Sequence, residues 1–296
     1  MGVYMVNFSE IKNLIKTKSE YSDFVRAGKE LEEIIFSLNK NDLISIITKI
    51  GIIPENIEHN SSEEKLYAKT ADMVLAKCFQ ELGLKASVIN QRANCADVSA
   101  KSLYHKYSLV ADAKTFRLSR TAKNQKDFKV KSMVDWREDN DYAVLACPYF
   151  QYPKNNSQIY GQALSGNVLL FSWEYFSILL QNNIIETKEY SLEKIWNISH
   201  LIAENTSISS QNNNYIEEQN KLLCKIVGLK MQSCLNNFSV FKTEIITRGE
   251  QEIIFGKNKI SEIETYSKAK AIKELISSLK LHEKINVIKR YIASLR

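Results

Sequence analysis

Asp112 and Lys114 stand two residues apart in the run Ser108-Leu-Val-Ala-Asp-Ala-Lys-Thr-Phe116. The run reads as a β-strand, and in an extended chain residues two apart point to the same side. Burying an acid and an amine among Leu109, Val110, Ala111 and Ala113 is costly unless something binds there. Asp97 lies 15 residues upstream. If Asn94 to Ser99 and Tyr107 to Phe116 are strands joined by a turn at Ser102 to Lys106, Asp97 falls across from Asp112. Two carboxylates and an ammonium converging on one point suit metal-assisted phosphodiester hydrolysis. The acids hold a hard divalent cation through oxygen. The cation polarises the phosphate and yields hydroxide from water near neutral pH. The lysine orients or deprotonates the attacking water and offsets charge on the phosphorane.

An Asp-x-Lys pair alone is common and equally suits a solvated strand face. The addition of Asp97 makes it the D…(D/E)-x-K nuclease motif. Glu64, aimed inward from a preceding helix, is a candidate for a further ligand, although an acid in a first helical turn also serves the helix dipole. A rival alignment exists. Asp127-Phe128-Lys129 repeats the pattern, and Asp112 precedes it by the same 15 residues. The apolar flanks of Asp112 favour the first pair. Asp127 and Lys129, in a polar setting, remain an alternative catalytic pair or phosphate contacts.

The basic segment that follows carries Arg117, Arg120, Lys123, Lys126, Lys129 and Lys131 with Asp127 as its one acid. Together with Lys114 it equals the chain's whole formal excess of +6. A charge run is often just a solvated face. Leaving a metal-nuclease strand, it is well placed to grip phosphates. Asn124 and Gln125 within it have amides that can pair with adenine edges.

The elements that must position these residues follow from periodicity. Residues 8–50 read as helical, ended by Pro54 and Asn56. A stronger helix spans roughly 61–82. Ser61 and Glu64 form a capping-box pattern and Gly83 is the stop. Its expected buried stripe runs through Glu64, Ala68, Ala71, Leu75, Cys78, Phe79 and Leu82. After the two strands come a polar loop and a short helix near 130–139. The nearly all-apolar Tyr142 to Cys147 reads as a strand buried on both faces. A loop at 148–165, a strand at 168–171 and a helix through 173–180 complete the core. From 187 the chain is mostly helical, interrupted by the polar stretch 204–214, with an apolar helical pattern over 266–295. The result is an α/β chain with a mixed sheet flanked by helices. It divides into an N-terminal helical segment (1–58), a catalytic core (59–185) and a helical C-terminal region (186–296).

Other chemistries lack support. The four histidines show no HxxxH or HxH spacing, so zinc hydrolases are not suggested. No GxxxxGK[ST], GxGxxG or GxSxG is present. Five cysteines without CxxC spacing suggest neither disulfides nor a zinc site, and Cys78 and Cys147 read as core hydrophobes. No segment reads as a signal peptide or a membrane span. A cytoplasmic protein with no membrane partner is expected.

Long runs then carry a resemblance. Leu109-Val-Ala-Asp-Ala-Lys114 and Phe116 through Lys131 resemble the HindIII family of type II restriction endonucleases. So do Trp136-Arg-Glu-Asp139, Asp141 to Leu145, Phe150-Gln-Tyr-Pro153 and Asn167 to Glu174. The similarity is strong over 60–182 and weak after about 195. It implies a PD-(D/E)xK nuclease core with additional N- and C-terminal helices, Mg2+ as cofactor and a homodimer acting on double-stranded DNA. It further implies cleavage of AAGCTT after the first A, leaving 5′ overhangs and 5′ phosphates. Matched residues place metal ligation on Asp97 and Asp112 and catalysis on Lys114. The proline that usually precedes the first aspartate is Ala96 here. A partner DNA methyltransferase is expected in the same system.

Overall fold

The computed structural model describes residues 7–294 apart from 22, 90–94, 121–124, 154–156, 206–207 and 280. Five strands form one mixed sheet in chain order: β1 (Lys85–Val88), β2 (Val98–Lys101), β3 (Ser108–Ala113), β4 (Tyr142–Cys147) and β5 (Val168–Ser172). β2 is antiparallel to both β1 and β3, whereas β3, β4 and β5 run parallel. β4 is buried from Ala143 to Cys147 and β5 throughout, as expected of parallel strands covered on both faces.

Three helices precede the sheet: α1 (Phe8–Ser19), α2 (Phe24–Ser37) and α3 (Lys40–Ile50). Asn7, Asp23 and Asn39 cap them, each accepting a backbone N–H from the first turn. All three pack on α4 (Ser62–Glu81), which lies across β1, β2 and β3. Ser61 caps α4, and Gly83 ends it with φ +89, a left-handed conformation that favours glycine. Because α4 sits between the sheet and α1–α3, it is buried around nearly its whole circumference from Leu66 to Phe79. The single expected stripe was therefore too narrow. Ala68 is only half-buried, while Thr70, Asp72 and Lys77 are buried.

The remaining elements of the first compact unit, Met1–Ile246, frame β4 and β5. They include α5 (Gln125–Phe128), α6 (Val130–Trp136), α7 (Gln158–Gly166), α8 (Trp173–Gln181), α9 (Glu193–Trp196), α10 (Ile198–Asn205) and α11 (Ile208–Val227). β1 and α7 were not expected, and α11 runs through most of the stretch read as a polar interruption. Cys78 and Cys147 are buried, as their apolar settings suggested. The long helix α12 (Met231–Glu264) follows. The second unit, Thr247–Arg296, holds the end of α12 with α13 (Lys268–Ser278) and α14 (Leu281–Ser294). Among the described residues, no helix is long and apolar enough to cross a membrane.

Candidate active site

The hairpin of β2 and β3 has the register the spacing required. Val98 pairs with Ala111, so the next step outward sets Asp97 against Asp112. On the other side Asp112 pairs with Leu145 of β4, and the Lys114 N–H extends the ladder to the Ala146 carbonyl at 2.7 Å. Asp112 and Lys114 thus emerge where the parallel strands end. The Lys114 ammonium lies 2.5 Å from Asp112 Oδ2, with the two side chains only 13% and 3% exposed.

The segment beyond Lys114 is fixed by the α3–α4 connection. Phe116 donates its N–H to the Gly51 carbonyl and accepts the Ile53 N–H, both at 3.1 Å. Gly51 is needed for space. A Cβ there would meet Pro148 Cγ at 2.4 Å and the Trp173 ring at 2.8 Å.

A third carboxylate, absent from the sequence reading, completes the group. Asp72 of α4 accepts the Ala113 N–H at 3.2 Å, where β2 has ended and offers that strand no partner. Asp72, Asp97 and Asp112 each present an oxygen within 4.8 Å of the others. Burial pushes the Asp72 carboxyl well above the usual carboxylate range, and the charges of Asp97 and Asp112 push it further. Burial and then Asp112 raise Asp97 to about 6, against the pull of Lys114, Lys129 and Lys69. Three oxygen donors that repel one another, with the Lys114 ammonium in contact with one of them, form a donor set suited to a hard divalent cation. The clue in the sequence was an aspartate inside the apolar run Ala71-Asp-Met-Val-Leu-Ala76.

Glu64 is held elsewhere. Its backbone N–H donates to Ser61 Oγ at 3.1 Å, but its carboxylate accepts the Asn60 N–H at 2.7 Å, so only half of the capping box forms. The same carboxylate pairs with Arg117 Nη2 at 2.6 Å and lies 2.9 Å from His59 Nδ1. Burial raises its pKa, but the hydrogen bonds from Asn60, Arg117 and His59 outweigh this and hold it below the ordinary value. Glu64 lines an open cavity of about 630 Å³ with His59, Phe116, Arg117 and Arg120, and is not part of the three-carboxylate group.

The basic segment divides into used and open cations. Arg117 spends one nitrogen on Glu64 and another on the Pro54 carbonyl at 2.8 Å, with its side chain 16% exposed. Arg120 pairs with Asp127 at 2.5 Å. Asp127 of the rival pair therefore faces an arginine, not the other carboxylates. Lys129 takes a left-handed backbone (φ +51) between α5 and α6, with its ammonium 5.4 Å from the centre of the Trp136 ring. Lys126, Lys129 and Lys131 are exposed. Lys123 and Asn124 lie outside the described residues, as does the side chain of Gln125.

Two comparisons with known proteins bear on this arrangement. A model of the HindIII restriction endonuclease family matches residues 7–292. The type II restriction enzyme HindIII of Haemophilus influenzae is 43% identical over 277 residues, which cover 93% of this chain and 91% of that protein.

Proposed function

The chain belongs to the HindIII restriction endonuclease family and is a site-specific deoxyribonuclease, and from that membership we propose a Mg2+-dependent enzyme that cuts AAGCTT after the first A. Cutting there would leave 5′ overhangs and 5′ phosphates. The observation that carries the reading is the meeting of Asp72, Asp97 and Asp112 beside Lys114 at the end of the parallel strands.

In this reading Asp97 and Asp112 hold the cation, with Asp72 as a third oxygen donor. Bound there, Mg2+ supplies Lewis acidity toward a phosphate oxygen and lowers the pKa of water. Lys114 aligns the water that attacks in line, opposite the leaving 3′ oxygen. Its ammonium also offsets the negative charge that builds on phosphorus. The Ala146 carbonyl fixes the backbone of Lys114, so the ammonium meets the phosphate already oriented. Lys126, Lys129 and Lys131 meet the DNA backbone first, and the amides of Asn124 and Gln125 are candidates for reading adenine. A palindrome calls for a two-fold pair of chains, each presenting one centre to one strand. A nuclease with so short a site, sharing the cytoplasm with the chromosome, needs a DNA methyltransferase of the same specificity.

The test is digestion of a plasmid of known sequence with Mg2+ or with EDTA, followed by sequencing of the fragment ends. Mg2+-dependent ends within AAGCTT are expected. Ends at another sequence would retire the specificity and keep the chemistry. Asp112→Asn and Lys114→Ala are expected to abolish cleavage while DNA binding stays nearly intact. If both retain substantial cleavage and Asp127→Asn and Lys129→Ala do not, the catalytic pair is the latter.

A further inference from the structure

Two cysteines ten residues apart meet where the chain turns from α11 into α12. Cys224 lies in the last two turns of α11 and Cys234 in the first turn of α12. Gly228, with a left-handed backbone (φ +70), reverses the chain, and Leu229 donates its N–H to the Cys224 carbonyl at 2.9 Å. This corner sets the two Sγ atoms 2.6 Å apart, in residues 5% and 2% exposed. Both carry free thiols. The ten-residue spacing matches no redox or zinc motif, so only the folded corner reveals the pair.

The same corner seats the turn that leaves β4. Asn220, one helical turn before Cys224, donates to the Tyr149 hydroxyl at 3.0 Å. Phe238, one turn after Cys234, stacks on the Tyr149 ring with centres 4.4 Å apart. Two sulfurs this close suit either a metal or a covalent bond. A tetrahedral metal needs further ligands. Among the described residues, the one group of three or more His, Cys, Asp or Glu side chains able to share an ion is Asp72, Asp97 and Asp112. A disulfide needs only the two sulfurs, brought to about 2.05 Å.

We therefore propose that Cys224 and Cys234 are a redox site, which closes to an intrachain disulfide and fastens α11 to α12 beside the Tyr149 turn. The oxidant is a low-molecular-weight disulfide. The thiolate of one cysteine attacks its sulfur–sulfur bond, forms a mixed disulfide and expels one small thiolate. The thiolate of the second cysteine then attacks the first cysteine's sulfur, closes the protein bond and expels the other small thiolate. The pair gives two electrons to the oxidant, and its two protons end on the two released thiols. Burial, and then the hydrogen bond with Cys234, push the Cys224 thiol up to about 12. Little thiolate is present near neutral pH, so exchange is slow and proceeds when the corner opens.

The test is incubation of the full-length protein with oxidised glutathione at neutral pH. It is run in buffer and in urea just below the main unfolding transition, where the corner opens often. Remaining thiols are capped with N-ethylmaleimide and the protein is digested with trypsin. Cleavage after Lys225 and Lys230 separates the two cysteines. Peptides 222–225 and 231–242 are expected as a linked pair that reduction releases. The linked protein should melt about 5–10 °C above the reduced one, because the bond closes a loop of the unfolded chain. Cys234→Ser should lose both the linked peptides and the shift. Capped Cys224 and Cys234 under both conditions, or disulfides through Cys78, Cys95 or Cys147 instead, would overturn the proposal. A bond between Cys224 and Cys234 that leaves the melting temperature unchanged would refute the fastening of the two helices.

Discussion

At the residue scale, Asp72 and Glu174 illustrate two reasons for burying an acid. Asp72 belongs to a group of carboxylates whose mutual repulsion works against the folded chain unless a cation joins them. Asp72→Asn should therefore raise the melting temperature of the metal-free protein by a few degrees, at about 2–4 °C per kcal/mol for a chain of this size. The same change should remove the stabilisation that Ca2+ gives the wild type, by linkage of binding to folding. Melting curves in EDTA and in Ca2+ decide this. An unchanged Ca2+ shift in the variant would take Asp72 out of the ligand set. Glu174 lies outside that group. One of its oxygens accepts the Tyr149 N–H at 2.9 Å, the other has no hydrogen-bond partner among the described residues, and burial pushes its pKa to about 7. A carboxyl raised from its ordinary 4.5 contributes stability that is fully present below the unfolded value and is lost as pH climbs through about 7. Between pH 5 and 8 the wild type should lose stability that Glu174→Gln retains. Urea melts at several pH values test this, and parallel profiles for the two proteins would refute it.

At the scale of elements, the basic segment after β3 separates into a brace and a grip. Arg117 ties this segment to Pro54 and Glu64, while Lys126 and Lys131 stand open to solvent. Arg117→Ala should cost about 2 kcal/mol, between the values for exposed and fully buried ion pairs, and leave the salt dependence of DNA binding almost unchanged. Lys126→Ala and Lys131→Ala should each lower the slope of log affinity against log salt by about 1. DNA titrations at several salt concentrations distinguish these outcomes, and a reduced slope for Arg117→Ala would move that residue to the phosphate backbone. This division was not legible in the sequence, where every cation of the run looks alike. What could be read was whatever leaves a strong period. The apolar Tyr142 to Cys147 gave β4 to the residue, and the 15-residue spacing set Asp97 opposite Asp112. β1 escaped because its four residues, Lys-Ala-Ser-Val, are short and half polar. α7 was hidden by its glycines and serine, and the start of α11 by a run of serines and asparagines of low helix propensity. Glu64 drew attention because a capping signature favours an acid at that position. Asp72, deeper in α4, stands out in the sequence only as an acid in an apolar run, and the packing of that helix on the hairpin is what gives it a place in the site.

At the scale of the whole molecule, the described buried core and the candidate catalytic residues gather in the first unit. The described core from Phe8 to Phe241, the three carboxylates and Lys114 all fall within Met1–Ile246. A chain stopped after Ile246 keeps every one of these contacts. It should fold with one cooperative thermal transition, bind Ca2+ and still hydrolyse phosphodiesters. Melting curves in EDTA and in Ca2+ measure the first two, and loss of supercoiled plasmid DNA in Mg2+ measures the third. A truncated chain that fails to fold would mean that the second unit supports the first, despite contributing nothing to its described core.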